Sequence, residues 1–414
     1  MTTTQTKSPP TARFARDLGE VRKEVLARVE AILPALADAA ADAEAQRDLT
    51  PESFAALVES GALRLFAPQR TGGYEAGYRT YVESTVLLAR ACGSSAWLSF
   101  ILNHGDWQTG QMSAAVQERV WAGNSASAKV AVPLAPMPGW RAERHDGGTT
   151  VSGDWPYSSG SSHASWALIG FPLLDDDGSQ TDNMIGLINT SGIPVRDTWH
   201  VAGMAGTGSN TFEIRDVFIP DEETITLSAI MSHRFETPYS AEAQYHMDSG
   251  VIFHVATLVP VVGLAKAALD LTLERITTRP KPVTYTFYAD TTKSPATQFA
   301  MARATWLIET ALEQTRATAD AIDVQALTAH PFPAIDRARF AMRSAQAHRM
   351  CREGVDLLLD VQGAGAFALN NPLQRIWRDM HVASRHGLSV PGMKQELYGR
   401  ALLGADEQQM TPVR

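Results

Sequence analysis

Apolar residues in this chain change their spacing twice. A sequence that runs at helical period, then alternates, then returns to helical period must lodge a sheet unit between two helical ones. Over residues 15–125 the period is helical. LGEVRKEVLARVEAILPALADAAADAEAQ places apolar residues at i, i+3, i+4 and i+7. Thr50-Pro51-Glu52 has the form of an N-cap followed by proline at the first helical position, and Tyr78–Ala91 continues the pattern. From about Ser127 to Asp221 the helical period is lost. Runs such as TTVSGDWPYSSG, WALIGFPLL, MIGLINT and NTFEIRDVFIP read as strands, broken by turns such as HDGGT and DDDGS. Beyond Met231 helix returns. VIFHVATLVPVVGLAKAALDLTLERI is almost continuously apolar, so it should be buried on most sides, and further helices are expected over about 295–323 and 334–361. The intervening TRPKPVTYTFYADTTKSP is long for a loop in a compact domain, which marks it as functional. The fold class this predicts is α+β, with a helical domain over 15–126, a β-domain over 127–230 and a second helical domain over 231–405.

The 414 residues are 44% hydrophobic and 20% charged, enough for a core shared among two or three domains. No apolar run reaches the roughly 18 residues that span a bilayer. The first twenty residues lack an apolar signal core, and residues 1 to about 14 read as a disordered tail. No membrane partner is expected. Cys92 and Cys351 lie in apolar helical contexts as buried free thiols, which points to the cytoplasm. No Cys/His spacing suits a metal. A net charge of −9 with no basic cluster argues against nucleic acid. GxGxxG after a strand, GxxxxGK[ST], GxSxG and HExxH are all absent, so a nucleotide cofactor would need another architecture.

Three stretches carry chemistry. Val151–Gly160 runs Gly153-Asp154-Trp155 into a Ser158-Ser159-Gly160 turn, followed by His163. Such a turn can donate to a flat heteroaromatic ring, although a tight turn around a core Trp is the plainer reading from spacing. Trp199–Ser209 carries glycines at 203, 206 and 208, where backbone can approach a ligand or another strand, or simply form a hairpin. Asp360–Ala366 ends a helix at Gly363 and Gly365 and leads to Arg375, Arg378 and Asp379, which read best as a structural ion-pair set.

In order and spacing, these stretches resemble the acyl-CoA dehydrogenase superfamily over about residues 15–405. DVFIP closes the β-domain after Gly-Met-x-Gly-Thr-Gly-Ser, and Gln-Gly-Ala-Gly precedes Arg-x-x-Arg-Asp. The resemblance implies an N-terminal helical domain, a central β-barrel domain and a C-terminal four-helix bundle, assembled as a homotetramer that holds flavin between domains. It places Trp155, Ser158 and Ser159 at the flavin ring. Gln362, Gly363 and Gly365 meet the dinucleotide across a subunit interface, with Arg279 and Gln298 as further diphosphate contacts.

One departure decides the chemistry. A dehydrogenase needs a carboxylate to take the α-proton of a thioester. The two places where relatives carry it read Asp379–Gly387 and Gly250–Val255 here. Neither offers a glutamate, and Glu396 lies too far along. A histidine in the first place is similar to the flavin-dependent hydroxylases of the superfamily, whose reduced flavin comes from a separate NAD(P)H-flavin reductase. That branch implies FADH2 (FMNH2 also fits), O2 and a flavin C4a-hydroperoxide. Its product is a hydroxylated phenol- or indole-type substrate, in natural-product biosynthesis or aromatic metabolism. His386 or His381, with a pKa near 7, is the expected base, and Ser158 or Ser159 hydrogen-bonds near the reacting edge of the flavin. Trp97 and His104 lie on a helix resembling the substrate side of those enzymes. His163, Tyr239, Phe253 and His254 are further lining candidates. His145, His200, His233, His330 and His348 read as structural. The competing readings are an N- or S-oxygenase on the same scaffold, an acyl-CoA dehydrogenase or oxidase, and a non-catalytic flavoprotein.

Overall fold

The computed structural model describes residues 12–122, 128–175, 177–405 and 410. The first helices form where side chains cap them. Asp17 Oδ1 accepts the Glu20 N–H at the start of α1 (Leu18–Asp38), and α2 (Ala40–Gln46) follows. Thr50 Oγ1 accepts the Ser53 N–H at 3.1 Å ahead of α3 (Pro51–Ser60), so the sequence-predicted cap and N1 proline are both formed. Next come α4 (Tyr78–Ala91), α5 (Gly93–Gly110) and α6 (Ala114–Trp121).

The β-domain contains β1 (Val130–Ala131), β2 (Arg141–His145), β3 (Gly148–Ser158), β4 (Trp166–Leu174), β5 (Gln180–Asn189), β6 (Val195–Arg196), β7 (Asn210–Pro220) and β8 (Thr224–Thr226). They form two four-stranded sheets, ordered β1-β4-β5-β8 and β2-β3-β7-β6. Trp155, Phe212 and Ile214 of one sheet meet Ala131, Ala167 and Ile169 of the other in a shared apolar layer. The expected barrel therefore takes the form of two facing sheets.

The chain returns to helix with α7 (Leu227–Met231), α8 (Ser249–Val255), α9 (Leu258–Thr278), α10 (Pro295–Thr328), α11 (Ala334–Gln362), α12 (Pro372–Ala383) and α13 (Pro391–Leu403). α9 is the axis, packed against α4, α10, α11 and α12. Its Val259, Val261 and Val262 are fully buried, each contributing about 1.5–3 kcal/mol of transfer free energy. A Cβ on Gly263 would stand 2.5 Å from Ala89 Cβ, so this glycine permits the close crossing of α4 and α9.

Two expectations need correcting. Residues 12–14 are ordered: Arg13 pairs its backbone with Ala241 and Ala243 (3.0 and 2.9 Å), and Ala12 is buried. Ser249–Thr278 is long and apolar enough to cross a membrane by length and composition, contrary to the sequence count. Of its most apolar 18-residue window, 94% is buried inside the protein, as a core helix would be. Residues 1–11 of the expected tail and the expected 126/127 domain boundary lie outside the described residues.

Candidate active site

Helix α5 turns one face to a cavity of about 980 Å3, near the upper end of small-molecule sites, which run to roughly 1,000 Å3. Trp97, Phe100, Ile101, His104, Trp107 and Gln108 recur at three- and four-residue steps and all line it. The β-domain supplies Tyr157, Ser159, Thr207 and Ser209; the end of α12 and the turn after it supply Trp377, His381, Arg385 and His386. None of the lining residues among those described is Asp or Glu.

A strand defect presents the β-domain's hydroxyls. The register of β3 against β7 slips between Trp155 and Ser158, and Tyr157 takes a left-handed φ of 56°, unusual for a residue with a Cβ. The slip buries Ser158 and brings Ser159 to the cavity wall. Ser159 Oγ accepts the Trp97 Nε1–H at 3.1 Å and lies 2.7 Å from Ser209 Oγ, itself 2.6 Å from Thr207 Oγ1. A flavin ring fits this arrangement: the volume holds it together with an aromatic substrate, and the hydroxyl row, whose hydrogens run from Ser159 to Ser209 to Thr207 and on to the Met204 carbonyl at 2.8 Å, offers oxygen lone pairs to a ring N–H.

The glycine-rich run fixes the β-domain on α12. A Cβ on Gly203 would lie 2.3 Å from the Arg378 carbonyl oxygen, so only glycine allows this contact. Met204 N–H then donates to Asp379 Oδ1 at 2.5 Å, and Arg378 binds Glu44 and the Ala202 carbonyl. Burial pushes the Asp379 carboxyl up to about 6. This pair is a clamp between domains.

Ring nitrogens decide what the histidines can do. His104 Nδ1 bonds the Phe100 carbonyl at 2.7 Å and its Nε2 lies 3.4 Å from Tyr78 Oη, so both nitrogens are committed within the protein. Burial lowers its pKa to about 4. His386 Nδ1 accepts the Leu388 N–H at 3.2 Å, which leaves the hydrogen of the neutral ring on Nε2. Burial, and then the Lys394 ammonium, push it down to about 4. His381 Nδ1 faces Arg385 Nη1 at 2.9 Å, its Nε2 faces Asp356 at 3.6 Å, and burial lowers it too. The expected base with a pKa near 7 is therefore not formed at His386 or His381. At neutral pH the His386 ring is uncharged, and neither ring offers the cavity a free lone pair.

Of the residues singled out from sequence, the fold brings Trp97, His104, Ser159, Phe253, His381 and His386 together. Ser158 is fully buried, its Oγ donating to the Trp155 carbonyl at 2.9 Å. Trp155 is a core side chain that donates to the Gly170 carbonyl at 2.8 Å. His163 stacks on Phe54 at 3.9 Å and binds Asp48 at 2.9 Å, away from the cavity. Tyr239 lies under the Arg70 guanidinium at 3.5 Å. His254 is fully buried one step round α8 from Phe253, so it faces the bundle interior. Arg279, Gln298, Gln362, Gly363 and Gly365 all sit at the far end of the bundle. Gln362 Nε2 there donates to Thr272 Oγ1 at 2.9 Å and Gln298 Nε2 to the Thr292 carbonyl at 3.0 Å. Arg279 follows Leu258 by twenty-one residues, about 30 Å along α9. Sequence reasoning missed Trp107, Gln108, Met204, Thr207, Ser209 and Trp377. Extending the helical stripe from Trp97 and His104 would have found the first two.

Residues 255–391 match the family described as acyl-CoA dehydrogenase, C-terminal domain. The chain is 32% identical over 386 residues to the oxygenase subunit HsaA of a flavin-dependent monooxygenase from Rhodococcus jostii, covering 91% of this chain and 97% of that one. It is 28% identical to the oxygenase component of p-hydroxyphenylacetate 3-hydroxylase from Acinetobacter baumannii, over 92% and 89% of the two. Among solved structures, XiaF from Streptomyces, in complex with FADH2 and glycerol, superposes with a TM-score of 0.86 at 28% identity, over 94% of this chain and 97% of that one.

Proposed function

Because the chain belongs to the family of flavin-dependent monooxygenase oxygenase subunits, on the acyl-CoA dehydrogenase fold, we propose that it hydroxylates a phenol- or indole-type aromatic substrate held in the α5 cavity. It works with reduced flavin and O2, as an oxygenase component supplied by a separate reductase. The observation that carries the aromatic reading is the cavity wall, built of Trp97, Phe100, Trp107 and Phe253 with no carboxylate among its described lining residues. A thioester dehydrogenase has no proton acceptor there.

Bound reduced flavin supplies the activation of O2 for transfer of one oxygen atom. The protein's part is to hold, orient and dry. Ser159, Ser209 and Thr207 hold the polar edge of the flavin ring. The Nε2–H of neutral His386 donates a hydrogen bond to an oxygen at the reacting end and fixes its position. The aromatic wall excludes water. Oxygenation of a substrate nitrogen or sulfur is the second reading. The same lack of a basic lone pair favours it, since such an atom needs no deprotonation.

Arg279 stands about 30 Å along α9 from the cavity end of that helix, and Gln298 and the Gln362–Gly365 turn lie at the same end of the bundle. We assign them to the adenosine diphosphate end of a neighbouring subunit's FAD in a homotetramer. FMNH2 would bind without them. Two buried free cysteines fit an enzyme of the reducing cytoplasm. A screen of phenols, indoles, naphthols and aryl sulfides with a generic flavin reductase tests the reading. Ring-hydroxylated products support it. Turnover of the sulfides or amines alone moves the assignment to heteroatom oxygenation.

A further inference from the structure

Eleven residues separate Trp97 from Gln108, about 16 Å along the axis of α5, and one cavity runs past both. At the near end the Trp97 and His386 rings are 5.7 Å apart. A single aromatic ring beside His386 would leave the deep end unfilled.

The polar groups along that face are not equally available. Trp97 Nε1 is bonded to Ser159 Oγ, and Trp107 Nε1 donates to the Gln244 carbonyl at 2.9 Å. His104 has its Nδ1 on the Phe100 carbonyl and its Nε2 beside Tyr78 Oη. Gln108 differs. It is 5% exposed, it lines the cavity, and its Oε1 has no hydrogen-bond partner among the described residues. A buried carboxamide oxygen without a partner costs about 1–3 kcal/mol, so a ligand that satisfies it is strongly selected. The amide offers a donor and an acceptor side by side. The surroundings, Ile101, Trp107 and Leu134, are apolar. The group that fits is therefore a single hydroxyl or carbonyl on a flat apolar frame, not a carboxylate or a phosphate.

We propose that Gln108 is the specificity-determining residue of a distal subsite, and that the substrate is a fused-ring aromatic with an oxygen function at each end, one beside His386 and one at Gln108. The inference rests on the hydroxylase reading for the near end, but the distal contact is a matter of binding alone. His104, the expected partner for the substrate's polar group, supplies ring edge rather than a hydrogen bond.

Two probes and two variants test it without any turnover. The full-length protein is titrated with 2-hydroxyanthraquinone and with 2,6-dihydroxyanthraquinone, following quenching of the cavity tryptophans. The wild type should bind the second about tenfold more tightly, because it can satisfy both ends. Gln108→Leu, nearly equal in volume, should abolish that ratio by weakening the dihydroxy compound alone. Gln108→Asn, which keeps the amide but shortens it, should leave a partial preference. Equal affinities in the wild type, or a ratio unchanged in Gln108→Leu, overturns the subsite. If the ratio behaves as stated but neither compound is hydroxylated, the subsite stands and the hydroxylase reading is the part that fails.

Discussion

The cavity and the far end of the helical bundle are both rich in aromatic side chains, yet they use them in opposite ways. Around the cavity Trp97, Phe100 and Trp107 are buried, and both indole N–H groups are bonded. At the bundle end Tyr285, Phe287, Phe299 and Trp306 stand 103, 109, 75 and 63% exposed. They lie beside Arg279 and Gln298, and Leu369 near the Gln362–Gly365 turn is 90% exposed. So many exposed large apolar side chains in these segments point to an interaction site. The cavity is thus lined within one chain, while the surface we assign to the dinucleotide would be completed by another copy.

The sharpest way to break this division is to remove the donor at the reacting end of the cavity. His386→Ala should lower oxygenation by about 10²–10³ in kcat/KM and divert flavin turnover to hydrogen peroxide, whereas His386→Asn, which can still donate, should stay within about tenfold of the wild type. Steady-state product and peroxide yields check this. The pH profile separates donor from base. With a folded pKa of about 4, His386 stays neutral from pH 8 down to 5.5, and its donor role persists through that range. An activity limb near pH 7 that disappears in His386→Asn would restore the base.

The opposite face is tested by Phe299→Asp with Trp306→Glu. We expect dissociation of the assembly by light scattering and a loss of FADH2 affinity of more than about tenfold, with anthraquinone binding unchanged. An intact assembly would show that this face covers nothing. Arg279→Ala with Gln362→Ala is the milder probe. FADH2 affinity should fall about tenfold and FMNH2 affinity less than about twofold, because only the dinucleotide reaches these residues.

The smallest expected effect concerns the buried cation behind the chamber. Lys394 Nζ is bonded to the His254 carbonyl at 2.7 Å and Ser344 Oγ at 3.0 Å, with no carboxylate among the described residues bonded to it, and His348 and His386 are titratable groups whose charge its ammonium opposes. Burial lowers it to about 7 from 10.5. The folded state therefore resists the ammonium, and stability is lost as pH falls through the window from 10.5 to 7. Lys394→Met removes that penalty and loses two hydrogen bonds. Its stability relative to wild type should improve by on the order of 1 kcal/mol between pH 9.5 and 6.5 in urea unfolding. The reverse trend would mean that the amine is stabilised by its pocket.

The two regions also differ in how much of them the sequence made visible. Element order and the missing glutamate could be read directly, because periodicity and motif order are local. So could the buried α9, apart from its hydropathy count. Trp97 and His386 were identified, and of the two serines named only Ser159 reaches the cavity wall. The reason is the slipped strand at Tyr157, whose left-handed backbone no residue type there announces. How the His386 ring is held was not visible, because that depends on a backbone N–H two residues on, at Leu388. Of the neighbours Phe253 and His254, both named as lining candidates, only Phe253 lines the cavity, because one helical step turns His254 away from it. Gln108 passed unnoticed because glutamine mid-helix carries no signal until its neighbours are known to be committed.

The most direct test of the central claim is the origin of the product oxygen. The enzyme is supplied with FADH2 by a separate reductase under 18O2, with 2,6-dihydroxyanthraquinone and the best phenols of the screen as substrates, and the products are weighed by mass spectrometry. One 18O atom per aromatic product, and none when the label is in water, is the predicted result. Oxygen drawn from water, or an acyl-CoA desaturated in place of an aromatic oxygenated, would contradict the account.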